Sequence, residues 1–230
     1  MPSFLRNSLA IALITPLAVQ AQAQVASPRD TLIRAAFTTP NKAQALGLVN
    51  QAIAEAGATL LQTPADREAR LQHALGIGYR GQLTRSPGDA RTAHHALEAI
   101  AAADPSDAEV QIAVAGWHLT AVGDLGDFFA RTLLGASRSQ GLAALDRAVA
   151  MGGDRAFFPA YAALIRIRLD SSDTATPLRL AERAAAAEAP GTIDRVTQRA
   201  AVRLLPSLRA GDGAAAARIA RRLLPFGTLG

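Results

Sequence analysis

The chain contains no cysteine in 230 residues. That excludes disulfides, thiolate nucleophiles, thiolate metal ligands and the acylated cysteine of a lipid anchor. Aromatic residues make up only 4% of the sequence, with a single Trp at position 117. They are not interleaved with basic residues, so a nucleic-acid-stacking surface is not expected. Period-two runs of β-branched residues are missing, which leaves no strand signal. Beyond the first residues no apolar run reaches membrane length, so no transmembrane segment is expected after cleavage.

The first residues have the layout of a secretory leader. MPSFLRN carries Arg6 and no acid; the apolar run SLAIALITPLAV follows, then Ala21-Gln22-Ala23, a small-x-small cleavage pattern, with Val19-Gln20-Ala21 as a second one. Pro16 argues against a buried first helix. The sequence thus predicts a signal peptide over 1–23 with cleavage near Ala23, and a periplasmic or secreted protein. N-terminal helices over 24–65 and a helical repeat region over 66–230 would together form one structural domain.

Alanine inflates the hydrophobic fraction of 50%. It is the best helix former and brings little buried area, so closely approaching helices are expected rather than a bulky core. The pI near 10.8 has a local origin. Seven Arg between residues 191 and 230 face only Asp194 and Asp212, whereas 24–190 is close to neutral. Arg195, Arg199 and Arg203 recur every four residues and so share one helix face. This face is either solvated or a contact for an anionic surface.

Pro and Gly divide the chain into helix pairs. Helices are expected over 31–37 and 42–61, then on either side of Ser86-Pro87-Gly88-Asp89, and from about Ala108 to Leu119 after Asp104-Pro105-Ser106-Asp107. Further helices are expected over 137–151, 157–170, 174–189, 191–205 and 213–224. Ala148, Ala185 and Ala220 lie at matching places in the last three pairs, and each is followed five residues later by Gly153, Pro190 or Pro225. Leu75, Gly76 and Tyr79 look like a Leu-Gly-x-x-Tyr element. These features resemble the tetratricopeptide repeat. The resemblance implies an all-α fold, a right-handed superhelical stack of antiparallel helix pairs with a concave groove. Leu134-Gly135-Ala136-Ser137 before 141–149 is also similar in outline to the T component of tripartite ATP-independent periplasmic transporters. Those components are typically lipoproteins, and this chain has no cysteine to acylate.

Ala101 and Ala148 are separated by about 13 residues more than one repeat. The surplus falls on 122–135, VGDLGDFFARTLLG, in the most unusual part of the chain. Leu125, Phe128, Phe129, Thr132 and Leu133 form a helical stripe there, with Asp127 and Arg131 on the other side. A short extra helix is expected, with Gly123, Gly126 and Gly135 as flexible joints. It would act as a cap over apolar surface or as a lid over a ligand.

Motifs of chemistry are sparse. Gly76-Ile77-Gly78-Tyr79-Arg80-Gly81 matches G-x-G-x-x-G, but it follows a charged amphipathic helix where dinucleotide binding needs a strand. Close helix packing explains it better. His94 and His95 each pair with Glu98 at helical spacing, yet zinc needs three or four convergent ligands. No metal and no cofactor are therefore expected. His118, Asp124 and Asp127 could form an acid–base set, but a nucleophile motif is missing and Ser137 and Ser139 mark a helix start. The reading is a non-enzymatic binding or scaffold module of the cell envelope, partnered by another envelope protein or a small organic ligand. A polymer hydrolase is the competing class. The expected contact residues are Trp117, His118, Asp124, Asp127, Phe128 and Arg131, with Tyr79 and Tyr161 lining the groove.

Overall fold

A computed structural model of the protein describes residues 26–229. The expected leader lies outside the described residues. Within them the chain forms ten helices: α1 (Pro28–Phe37), α2 (Lys42–Gln62), α3 (Arg67–Thr84), α4 (Pro87–Ala103), α5 (Ala108–Leu134), α6 (Arg138–Met151), α7 (Phe157–Leu169), α8 (Ala175–Ala186), α9 (Thr192–Arg209) and α10 (Gly213–Leu223). No strand occurs among the described residues, only an isolated bridge between Arg155 and Glu188.

Local chemistry accounts for most helix starts. Ser27, Asn41, Asp66, Ser86, Asp107, Ser137 and Asp212 each place a side-chain oxygen where it accepts a backbone N–H of the first turn. Pro28 and Pro87 follow two of these caps, where a missing N–H costs nothing.

Neighbouring helices pack in pairs, and alanine lets them come close. Ala45, Val49, Ala52 and Ala56 form the fully buried stripe of α2. The glycines of the G-x-G-x-x-G stretch lie inside α3: a Cβ on Gly76 would come within 2.7 Å of Ile53, and one on Gly81 within 3.0 Å of the Ala90 nitrogen. They are packing glycines, as the preceding helix predicts. The main core is built around α7, which is buried on nearly every side from Phe158 to Ile167 and packs against α8, α9 and α10.

The first described helix meets the segment after the last. The Phe226 N–H donates to the Ala36 carbonyl at 2.7 Å, and its ring stands edge-on to Tyr79 with centroids 5.0 Å apart. An ion-pair chain also ties distant helices together. Arg29 of α1 binds Glu68 of α3 at 2.6 Å and Glu109 of α5 at 2.7 Å, while Arg155 binds Glu109 at 2.7 Å and Asp194 of α9 at 3.1 Å. Burial works against ionisation of Glu109, but the hydrogen bonds from Arg29 and Arg155 outweigh it and hold the carboxyl at about 2.

Within 122–135 the helical path breaks at Gly126, and the residues after it form the short helix expected there. The three glycines are not equivalent flexible joints, however, and have three different tasks. Gly123 leaves room for the Arg168 guanidinium, whose atoms would lie 2.8 Å from a Cβ there. Gly126 alone breaks the helical path, with φ 78° and ψ 159°. Gly135 is a left-handed C-cap at φ 74°, and the Ala136 N–H bonds back to the Ala130 carbonyl. Two ion pairs brace the kink: Asp124 to Arg168 of α7 on one side and Asp127 to Arg138 of α6 on the other. The apolar stripe is not buried. Leu125, Phe128, Phe129 and Leu133 are 40%, 73%, 57% and 53% exposed, while Ala130 on the inner side is fully covered. Among the described residues the stripe thus stays largely open to water rather than being buried as either a cap or a lid requires.

Candidate functional site

Three helices each turn a stripe of one-turn or two-turn spacing toward a shared cavity of about 410 Å³. His94, Glu98 and Ala101 come from α4, Gln111, Val114 and His118 from α5, and Gln140, Ala143 and Arg147 from α6. Side chains at i, i+3 or i+4, and i+7 lie on one helical face, which is why these nine converge. Gly141 lets α6 come this close: a Cβ there would lie 2.6 Å from Leu119 and 2.9 Å from the His118 Cβ.

His118 is 1% exposed and forms the floor. Its Nδ1 accepts the backbone N–H of Ser137 at 3.2 Å, the residue whose hydroxyl caps α6. That bond makes Nδ1 the acceptor, so the neutral ring carries its proton on Nε2, toward the cavity. Burial, aided by the neighbouring His94, pushes the His118 pKa down to about 4. The ring is uncharged at neutral pH.

His94 is held by its neighbours. Its ring stacks on Trp117 with centroids 3.9 Å apart and planes 8° from parallel, while the Trp117 Nε1 donates to the Ala90 carbonyl at 2.8 Å. The stack aims His94 Nε2 at Glu98 Oε1, 3.4 Å away. Burial lowers the His94 pKa, against the opposing pull of Glu98. His94 Nε2 is buried, and its contact with Glu98 falls short of good hydrogen-bond geometry. Glu98 Oε1 also lies 4.0 Å from His118 Nε2, so one carboxylate faces two imidazoles. On the far wall the Arg147 Nε donates to Gln111 Oε1 at 3.0 Å, and Gln111 is anchored in turn to the Pro105 carbonyl.

Of the expected contact residues, only His118 opens on this cavity. Trp117 stands behind His94 as its support. Asp124 and Asp127 are engaged by Arg168 and Arg138. Phe128 and Arg131 lie on the exposed outer segment of α5. Tyr79 packs on Phe226, and burial raises its hydroxyl pKa. Tyr161 is buried with its hydroxyl against Gly116. Tyr161 is a core residue, and Tyr79 is half-buried against the cluster of α1 and α2, so packing rather than an open groove accounts for both rings. Arg195, Arg199 and Arg203 are exposed on α9 as the spacing predicts; Arg195 is tied locally to the Pro190 carbonyl.

Gln111, Gln140 and Arg147 carried no signal in the sequence. Each is an ordinary polar residue on an amphipathic helix, and only the rotation of α5 and α6 about their axes brings them to His94 and Glu98. The i, i+4 pair on α4 was visible, whereas its third partner on α5 was not. No family model, no curated protein and no solved structure matches the chain.

Proposed function

We propose that this is a non-enzymatic binding module of the cell envelope, a tetratricopeptide-like stack of helix pairs that engages a protein partner through the outer segment of α5. The observation that carries this reading is the exposed stripe of Leu125, Phe128, Phe129 and Leu133. Contiguous large apolar side chains left open to water on one helix mark an interaction surface. Its rim is cationic: Asp124 and Asp127 are paired with Arg168 and Arg138, and Arg131 adds a further positive charge beside Asp127. The complementary partner is a protein with an apolar groove and an acidic rim. The Arg195, Arg199 and Arg203 face would add contact with an anionic surface.

Placing a photo-crosslinking phenylalanine analogue at position 128 in living cells tests this. A discrete protein adduct is expected, absent when the same probe replaces Val202. Labelling of lipid alone, or no adduct, would overturn it.

The cavity between α4, α5 and α6 favours a second reading, a carrier of a small polar ligand, since its volume is within the range of small-molecule sites. Native mass spectrometry of the purified chain separates the two readings by a bound organic mass. A polymer hydrolase has less support, because Asp124 and Asp127 are committed to arginines rather than to His118.

A further inference from the structure

We infer that His94 Nε2, the Glu98 carboxylate and His118 Nε2 form a site for a divalent transition ion of the zinc class, with the remaining coordination position facing the cavity wall of Gln140 and Arg147. The three ligand atoms all lie within 4.8 Å of one another. Zinc bound to imidazole nitrogen and carboxylate oxygen at about 2.0–2.2 Å requires ligand separations of roughly 3.3–3.6 Å. The His94–Glu98 distance of 3.4 Å already meets this; the 4.0 Å from Glu98 to His118 closes by a small movement of Glu98, whose side chain is about half exposed, and the two imidazole nitrogens, within 4.8 Å of each other, have to draw closer as the ion binds.

Three features favour an ion over a plain hydrogen-bonded cluster. His94 Nε2 is buried and faces the Glu98 carboxylate at 3.4 Å without good hydrogen-bond geometry, and an imidazole nitrogen so poorly satisfied beside two other ligand atoms is what a metal would complete. The Trp117 stack holds the His94 ring in the ligating orientation before any ion arrives. Two imidazoles with one carboxylate select zinc, nickel or copper over magnesium and calcium, which prefer all-oxygen sites. Arg147 across the cavity suits an anion as the fourth ligand.

One bond opposes binding and sets its strength. Because the Ser137 N–H donates to His118 Nδ1, ligation through Nε2 requires one proton to leave Nε2 and one to arrive at Nδ1, with no net change of charge. The new Nδ1–H then faces the Ser137 N–H and that bond is lost. A misfitted supporting bond of this kind lowers metal affinity about 10–100-fold relative to a site whose supporting bond fits.

The experiment is a titration of the chelator-treated, tag-free chain with Zn²⁺ followed by calorimetry, with Mg²⁺ as the control ion. One Zn²⁺ per chain is expected, and no Mg²⁺ heat. His94→Ala, Glu98→Gln and His118→Asn each weaken binding by at least about 10-fold, whereas His95→Ala leaves it unchanged. Long-range ¹H–¹⁵N spectra give a readout independent of affinity: His118 changes from the Nε2–H to the Nδ1–H tautomer on Zn²⁺ addition. Thermal melts identify any variant that fails to fold, and the wild-type tautomer measurement stands without variants. The absence of Zn²⁺ binding, binding that depends on His95 instead, or a His118 ring that keeps Nε2–H in saturating Zn²⁺ would each overturn the assignment.

Discussion

Glycine 126 adopts φ 78° and ψ 159°, a region open only to a residue without a Cβ. Nothing lies within 4 Å of a Cβ built there, so any cost of substitution is backbone strain and not collision. Gly126→Ala is therefore expected to destabilise the fold by about 1–3 kcal/mol, read by urea unfolding. If the strain is relieved by straightening the helix instead, the Asp127–Arg138 pair is lost. The Arg138→Ala background would then show a smaller penalty for the same substitution. His118 illustrates another residue-scale rule: a single backbone donor from Ser137 decides which ring nitrogen carries the proton.

At the scale of the element, α5 divides at this glycine into a buried and an exposed part. Upstream, Val110, Ala115, Leu119 and Val122 are covered on one or more faces. Downstream Ala130 is fully covered and Leu134 partly, while Phe128, Phe129 and Leu133 point outward. Replacing Phe128 and Phe129 together by Ser should thus leave stability within about 0.5 kcal/mol of the original in chemical unfolding, as at other solvent-facing positions. The same double change should abolish the photo-crosslinked or co-purified partner. A large loss of stability would mean that the stripe is buried in the isolated chain after all. Helix α7 is the opposite case. It is covered all round, so its sequence shows little of the 3.6-residue polarity pattern that marks a surface helix.

At the scale of the whole molecule, closure depends on two long-range devices. Glu109 bridges Arg29 and Arg155 and thereby links α1, α5 and the turn before α7. Its folded pKa of about 2 is below its ordinary value of 4.5, so the folded state prefers the ionised form. The resulting stabilisation is fully present above about pH 4.5 and is lost as pH falls through about 2. Glu109→Gln should cost about 3 kcal/mol at pH 7, and its unfolding free energy should depend less on pH between 5 and 2 than that of the unsubstituted chain. Equal slopes would show that the carboxylate is not held by the two arginines. The second device is Phe226, which is 9% exposed and packs with the α1 and α2 cluster. Phe226→Ala should cost about 3 kcal/mol, and hydrogen exchange should show the lost protection concentrated in α1 and α2, remote in sequence from the substitution.

Helix positions were readable because their causes are local. Ser86-Pro87, Asp107, Ser137 and Asp212 act on N–H groups two or three residues away, and the packing role of Gly76 and Gly81 followed from the charged helix before them. The spacing surplus at 122–135 was also visible, and its glycines did mark a real irregularity. Its form was not, since a kink, a joint and a packing notch all use the same residue type. Tyr79 and Tyr161 read as groove liners because an isolated tyrosine carries no sign of which neighbour covers it.

Short-range chemistry in the chain thus specified an all-helical fold, where its helices begin, and the i, i+4 pairing of His94 with Glu98. Tertiary packing decided the rest: that His118 completes this pair, that Asp124 and Asp127 are bound to arginines, and that the α5 stripe faces water. The reason is geometric. A cap or an i, i+4 pair depends on backbone geometry that every helix shares, whereas a cavity among three helices depends on their relative rotation and approach, here set by contacts such as Gly141 on Leu119.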